Sequence, residues 1–144
     1  MVTVFSNLDI GDCLSINQMS RLTGRGFEDK LKRLLEENGI DVLSFSTTSV
    51  CDLLILPNIL CEVKSTKYGF YNCTLTKGSK NQYDTILRYT KDYGFIGVYG
   101  VRFISGINSH WEFFSVNDGH IFRAGKGRLM NITSKEKLLQ SMTG

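Results

Sequence analysis

No apolar run in the chain approaches the roughly 20 consecutive residues that a bilayer-spanning helix requires, so a membrane protein of that kind is not expected. Residues 1–11 place no basic residue ahead of an apolar stretch, which leaves out the secretory-signal pattern; a soluble, intracellular (cytoplasmic) protein is the expectation. Cysteine is sparse. The four residues at 13, 51, 61 and 73 have spacings of 38, 10 and 12, and only His110 and His120 stand by to complete a set; no zinc pattern fits. Cys51, Cys61 and Cys73 are expected to act as small apolar side chains in or beside strands, with Cys13 near a loop. Net charge is also low, +3, so bulk charge does not announce nucleic-acid binding and the placement of the basic residues has to decide. Repeats, low-complexity tracts and linkers are absent. What remains is 144 residues with 42% hydrophobic and 11% aromatic content, enough for a single domain, 1–144, with its own core.

Local patterns give an α/β order of about αβββαββ. A helix over about 26–38 is opened by Thr23-Gly24-Arg25-Gly26; Phe27, Leu31, Leu34 and Leu35 form its apolar stripe, and Asn38-Gly39 stops it. Residues 1–20 show no sustained period. Strands are expected over 40–46, 51–56 and 59–65, the last two joined through Pro57-Asn58. After a loop over 66–78, with a short strand at 71–75, a second helix is expected over 79–92. Strands over 95–104 and 111–116 follow, with Gly97 and Gly100 inside the first, and the tail 134–142 has the pattern of a short amphipathic helix.

The chemistry is concentrated between 24 and 66. Residues two apart on a strand face the same way, so Glu62 and Lys64 project together while Val63 turns to the other face. Asp52 opens the preceding strand. Two carboxylates and the Val63 carbonyl are hard oxygen donors for a divalent ion, and Lys64 is placed to orient or activate a water and to offset phosphate charge. Asp-then-Glu-x-Lys is a weak signal by itself, since the chain also holds Glu28-Asp29-Lys30 on a helix. The setting strengthens it, because these charges lie in the most apolar hairpin of the chain, where uncompensated burial costs several kcal/mol. An ordinary ion pair on a solvated face is the competing account. Glu28, at the edge of the first helix's apolar stripe, either reaches a metal directly or through water, or is a plain first-turn acid.

A shared ion requires Asp52 and Glu62 on one face of the hairpin. That needs Asp52 opposite Glu62 and Leu54 opposite Leu60, with Leu56-Pro57-Asn58 as a three-residue connection and Asn58 left-handed, or else a bulge. A two-residue turn would place Asp52 opposite Val63 and destroy the site.

Together, Arg25-Gly26-Phe27-Glu28, the helix end Glu37-Asn38-Gly39-Ile40, the strand pair and Cys61-Glu62-Val63-Lys64-Ser65-Thr66 resemble the archaeal Holliday junction resolvases of the PD-(D/E)xK nuclease superfamily. The resemblance covers about 24–104. It implies a restriction-endonuclease-like core, a mixed central β-sheet flanked by helices. It also implies catalytic Glu28, Asp52, Glu62 and Lys64, with Mg2+ (Mn2+ as substitute) bound chiefly by Asp52 and Glu62. A serine in the loop before the metal-binding strand would be Ser46 or Ser49, and the polar or basic residue opening the next helix would be Lys80 or Gln82. Two departures stand out: Asp29 follows the helix glutamate where the family carries arginine, and Cys51 precedes Asp52 where proline is usual.

Basic residues fall in three groups suited to phosphates. Arg21, Arg25 and Lys32 share the side of the first helix that carries Glu28, and Lys64, Lys67, Lys77 and Lys80 follow the Glu62 strand. Residues 120–132 hold Arg123, Lys126 and Arg128 without an acid, with Gly125 and Gly127 allowing close backbone approach. The expectation is a structure-selective, Mg-dependent endodeoxyribonuclease acting on four-way junctions as a homodimer, in DNA recombination and repair. Trp111, Phe113 and Phe114 are either its dimer surface or core. The alternatives are a nuclease acting on single-strand ends, flaps or repair intermediates, and a non-catalytic DNA-binding module on the same fold.

Overall fold

The computed structural model describes residues 16–45, 50–129 and Met142. Helix α1 (Ile16–Glu37) leads into β1 (Val42–Ser44), β2 (Leu53–Ile55), β3 (Ile59–Thr66) and β4 (Phe70–Asn72). Helix α2 (Lys77–Tyr93) is followed by β5 (Ile96–Ser105), β6 (Asn108–Ser115), a 3-10 turn (Val116–Asp118), β7 (Ile121–Arg123) and β8 (Arg128–Leu129). Six strands form one sheet in the order β1-β2-β3-β5-β6-β8, and β4 with β7 forms a separate two-stranded ribbon. Among the described residues only β3 and β5 run parallel, the pairing produced when a chain leaves one strand, crosses through a helix and returns beside it. The result is the expected mixed central sheet flanked by helices. Among the described residues no helix is long and apolar enough to cross a membrane.

Alternation along the strands divides the core in two. Cys61, Val63, Val98, Trp111 and Phe113 face α1 and pack with Leu31 and Leu35, and Met142 joins this layer. Leu60, Tyr99, Val101, Phe103 and Phe114 face α2 and the ribbon, meeting Ile86 and Phe122. Trp111, Phe113 and Phe114 are therefore core and do not offer a dimer surface. Cys51, Cys61 and Cys73 are free and buried, as expected.

Several boundaries move. Helix α1 begins at Ile16, so Gly24 and Gly26 lie inside it and do not mark its start. A helix-interior glycine costs only about 1 kcal/mol, which a stripe packed as tightly as Leu31, Leu34 and Leu35 outweighs. The stop at Asn38-Gly39 holds: Gly39 is left-handed (φ 77°) and Asn38 Nδ2 donates to the Leu34 carbonyl. Helix α2 starts two residues early because Thr76 and Ser79 form a reciprocal capping box. Strand β4 occupies Phe70–Asn72 where 71–75 was expected. The tail helix expected over 134–142 lies outside the described residues except for Met142, which is helical and buried.

Gly97 and Gly100 weaken β5 as a sequence pattern yet have a packing reason in the fold. A Cβ at Gly97 would lie 2.7 Å from Ile86, 2.8 Å from Thr90 and 2.9 Å from Val116, and one at Gly100 would lie 3.2 Å from Leu31. The missing side chains let α2 and α1 approach opposite faces of the same strand. Gly97→Ala is therefore expected to destabilise the fold by about 1–3 kcal/mol through overpacking, measured by denaturant unfolding; an unchanged midpoint would show that α2 can shift away.

Candidate active site

The hairpin takes the register that a shared carboxylate site requires. Leu53 pairs with Cys61, Leu54 with Leu60 and Ile55 with Ile59, so Asp52 falls opposite Glu62 and Leu56-Pro57-Asn58 is the connection. The expected left-handed Asn58 is not found, since no described non-glycine residue has positive φ; the Leu56–Pro57 peptide is cis. Asp52 stands just ahead of the start of β2. Its main-chain carbonyl accepts from the Phe45 N–H at 3.0 Å, and its Oδ2 accepts from the Val63 N–H at 2.8 Å. In a strand the N–H and C=O of one residue point to the same side. The Val63 carbonyl thus faces the gap ahead of the start of β2.

Glu62 and Lys64 project to the α2 face, with Lys64 Nζ 3.2 Å from Glu62 Oε2. Glu62 is 5% exposed. From α2, Gln82 Nε2 donates to the Val50 carbonyl and lies 3.5 Å from Glu62 Oε1, tying the helix, the approach to β2 and the buried carboxylate together. Glu28 belongs to the other layer, on α1 against the opposite face of the sheet, yet its carboxyl is electrostatically coupled to Asp52 and Glu62. A cavity of about 400 Å³ opens beside these groups, lined by Glu62, Lys64, Tyr71, Asn72, Gln82 and the first turn of α2.

Electrostatics mark the cluster as under strain. Burial, then the hydrogen bond and charge of Asp52 and the charge of Glu62, raise the Glu28 pKa to about 8. Burial and Asp52 raise that of Glu62 to about 7, against the opposing pull of Lys64. For Lys64, burial favours the neutral amine, but the neighbouring Glu62 outweighs it and holds the side chain protonated. Like charges confined in a poorly solvated place make the charged forms unfavourable, and a divalent cation would relieve that. Among the described residues no three His, Cys, Asp or Glu side chains converge into a ready cation cage. The donors open to an ion are Asp52 and Glu62, the Val63 carbonyl and solvent, a partial shell of hard oxygens that suits Mg2+, which keeps several of its waters.

The remaining candidates scatter. Lys80 is exposed and paired with Asp84 at 2.8 Å, so of Lys80 and Gln82 it is Gln82 that reaches the carboxylates. Lys67 is exposed in the β3–β4 loop, and Arg123, Lys126 and Arg128 are exposed along β7, the following loop and β8. Ser46, Ser49 and the Arg25 and Arg21 side chains lie outside the described residues.

One residue escaped the sequence altogether. Glu112, 0% exposed, accepts from the Gly125 N–H at 2.8 Å, the Gly127 N–H at 2.9 Å and faces His110 Nε2 at 2.6 Å. Gly127 also makes room for the Phe114 ring, 2.6 Å from where a Cβ would sit. The two glycines thus answer to a buried carboxylate and a ring, a role the close approach to phosphate does not need to supply. Glu112 pairs with Val101, which pairs with Lys64, so the clasped loop sits on the Lys64 face about two strand spacings, roughly 10 Å, away. Nothing in the local sequence distinguishes Glu112, because its partners are backbone groups 13 and 15 residues on.

No family model matches the chain, and no curated protein does. Among solved structures, the chain is similar to the Holliday junction resolvase Hjc of Archaeoglobus fulgidus, an archaeal hyperthermophile: the match has a TM-score of 0.56 at 13% identity and covers 84% of this chain and 91% of that one. At that identity the likeness establishes the shared α/β fold, a mixed sheet flanked by helices.

Proposed function

We propose that this protein is a metal-dependent DNA endonuclease of the PD-(D/E)xK type, acting on four-way junctions. The observation that carries the proposal is the facing register of Asp52 and Glu62 at the start of β2, with Lys64 3.2 Å from Glu62 and Glu28 electrostatically coupled to both carboxylates. The resolvase fold of its structural neighbour supports the substrate class.

Asp52, Glu62 and the Val63 carbonyl would hold Mg2+, with Mn2+ as a substitute. When bound, the ion supplies charge against the phosphate and a more acidic water. The protein's own groups set the geometry. The Val63 N–H fixes one oxygen of Asp52, so the other would ligate, and Gln82 borders Glu62 from α2. Glu28, electrostatically coupled to Asp52, would orient that carboxylate or a water on it. Lys64, a cation 3.2 Å from Glu62 and one-third exposed toward the cavity, faces the place where a phosphate would enter and stabilises charge developing there. Lys67, Arg123 and Lys126 would contact backbone phosphates on the same face, while Arg128, opposite Phe113, belongs with Arg25, Ser46 and Ser49 proposed for the α1 side. Two symmetric cuts in a junction call for two copies, so a homodimer belongs to the proposal.

The direct test is incubation with a synthetic four-way junction, a flap, single-stranded DNA and blunt duplex in Mg2+, Mn2+ or a chelator. Paired, metal-dependent nicks in the junction are expected. Cleavage of flaps or single strands alone would keep the nuclease and change its substrate. No cleavage of any substrate, with DNA binding retained, would make it a non-catalytic DNA-binding module.

Lys64→Ala is expected to lower turnover by on the order of 10²–10³-fold, with little change in the Mg2+ concentration giving half-maximal rate. A large rise in that concentration instead would mean that Lys64 organises the ligands.

A further inference from the structure

Beyond the carboxylates, the face of the sheet that carries Lys64 holds two aromatic rings in the open. Tyr68 is 74% exposed and Phe70 45%, their centroids 6.3 Å apart. Water-facing rings side by side lose hydrophobic stabilisation that a buried position would provide, yet their backbone is firmly held. The Thr66 hydroxyl accepts from the Tyr68 N–H and donates to the Phe70 carbonyl, and the Ala124 N–H donates to the Gly69 carbonyl. Arg123, paired with Phe70 across the ribbon, lays its guanidinium 6.0 Å from that ring. The next strand residues, Tyr71 and Asn72, line the cavity that contains Glu62 and Lys64. A rigid aromatic step therefore leads directly from that cavity.

Charge indicates what meets the step. No Asp or Glu occurs between Glu62 and Asp84 or between Asp118 and Glu136, the two stretches that contain the ribbon, while Lys67, Arg123, Lys126 and Arg128 are exposed there. A second copy of this face would meet like charge. Paired bases in a duplex stack on one another and turn little of their ring faces outward, whereas an unpaired strand offers both phosphates and open ring faces, the combination that aromatic side chains among cations bind.

We infer that Tyr68 and Phe70 are a stacking platform for unpaired nucleobases, so that the strand entering the carboxylate site is single-stranded beside it. The inference takes its DNA partner from the nuclease proposal and adds the feature of the DNA that is selected: opened bases at a branch or flap.

The test uses binding in chelator, without cleavage. The chain's single tryptophan, Trp111, is buried, so Tyr68→Trp introduces an exposed fluorophore on the platform. Titration with a short oligothymidylate should quench its emission, and blunt duplex should not. Tyr68→Ala with Phe70→Ala should weaken oligothymidylate binding by roughly tenfold or more per ring and leave duplex affinity within about twofold. Both rings are exposed, so folding is not at stake, and a thermal melt checks it. No oligothymidylate binding, a response equal for both DNAs, or equal weakening for both would overturn the inference, as would a change of oligomeric state in the alanine variant, which would assign the face to a second copy. Quenching by single strands in a protein that cleaves nothing in Mg2+ would retire the nuclease proposal and leave the platform standing.

Discussion

Replacing Glu62 with glutamine is expected to abolish DNA cleavage and, without divalent ions, to raise the melting temperature. Both effects come from the same crowding. The folded protein raises the carboxyl pKa from 4.5 to about 7 at Glu62 and to about 8 at Glu28, so the folded state binds more protons than the unfolded chain across that window. Stability contributed by these groups is therefore present below the ordinary carboxylate pKa and is lost as pH rises from about 4.5 to about 8. An amide at position 62 removes one of the repelling charges at nearly constant shape, and Lys64, one-third exposed, can be solvated. A site kept at the expense of stability is the usual trade in an active centre. Glu62→Ala and Asp52→Asn should lose cleavage similarly, by at least on the order of a thousandfold, since each removes several kcal/mol of charge stabilisation. Asp52→Asn keeps an acceptor for the Val63 N–H, which protects the local fold. Scanning calorimetry with and without Mg2+ provides an independent readout: a stabilisation of about 2.7 kcal/mol is expected at an ion concentration one hundred times the dissociation constant in the wild type, and much less in either variant. Substantial residual cleavage, or an undiminished response to Mg2+, would remove these residues from the metal assignment. DNA binding should persist in each, because on the proposed function affinity for phosphates would come from the surrounding lysines and arginines.

The largest loss of stability is expected from Glu112→Ala, about 3 kcal/mol or more. Two glycine N–H groups donate to that fully buried carboxylate; a donor left without an acceptor costs up to about 1–3 kcal/mol, and removing the buried side chain leaves a cavity as well. Hydrogen exchange should quicken at Gly125 and Gly127, and the loop bearing Lys126 should lose its fixed position. Glu112→Gln, retaining one carbonyl oxygen, should fall between the two. An unchanged unfolding midpoint, with unchanged exchange at both glycines, would show that solvent satisfies the loop and that Glu112 is dispensable.

Much of this was legible in the order of residues. Apolar spacing located both helices, because the 3.6-residue period of Leu31, Leu34 and Leu35 and of Tyr83, Ile86 and Leu87 is set by which side chains must leave water together. Alternation at 60–64 placed Glu62 and Lys64 on one face, and the three-residue connection Leu56-Pro57-Asn58 that a shared ion requires is the one found, with Asp52 opposite Glu62. Helix starts were less legible. Gly24 and Gly26 are tolerated inside α1, and the cap of α2 rests on a two-residue hydroxyl exchange that periodicity does not see.

Contacts between distant segments were decided by the tertiary structure alone. The sequence determined that two carboxylates and a lysine would share a strand face, because that follows from backbone geometry over a dozen residues. It could not determine that Glu28 would be electrostatically coupled to them, that Gln82 and not Lys80 would meet Glu62, that Trp111 and Phe113 would be core, or that Glu112 would hold a loop through its backbone. Each of those depends on where helices and loops pack after the sheet has formed, and packing is set by the summed burial of many side chains, which no local pattern contains.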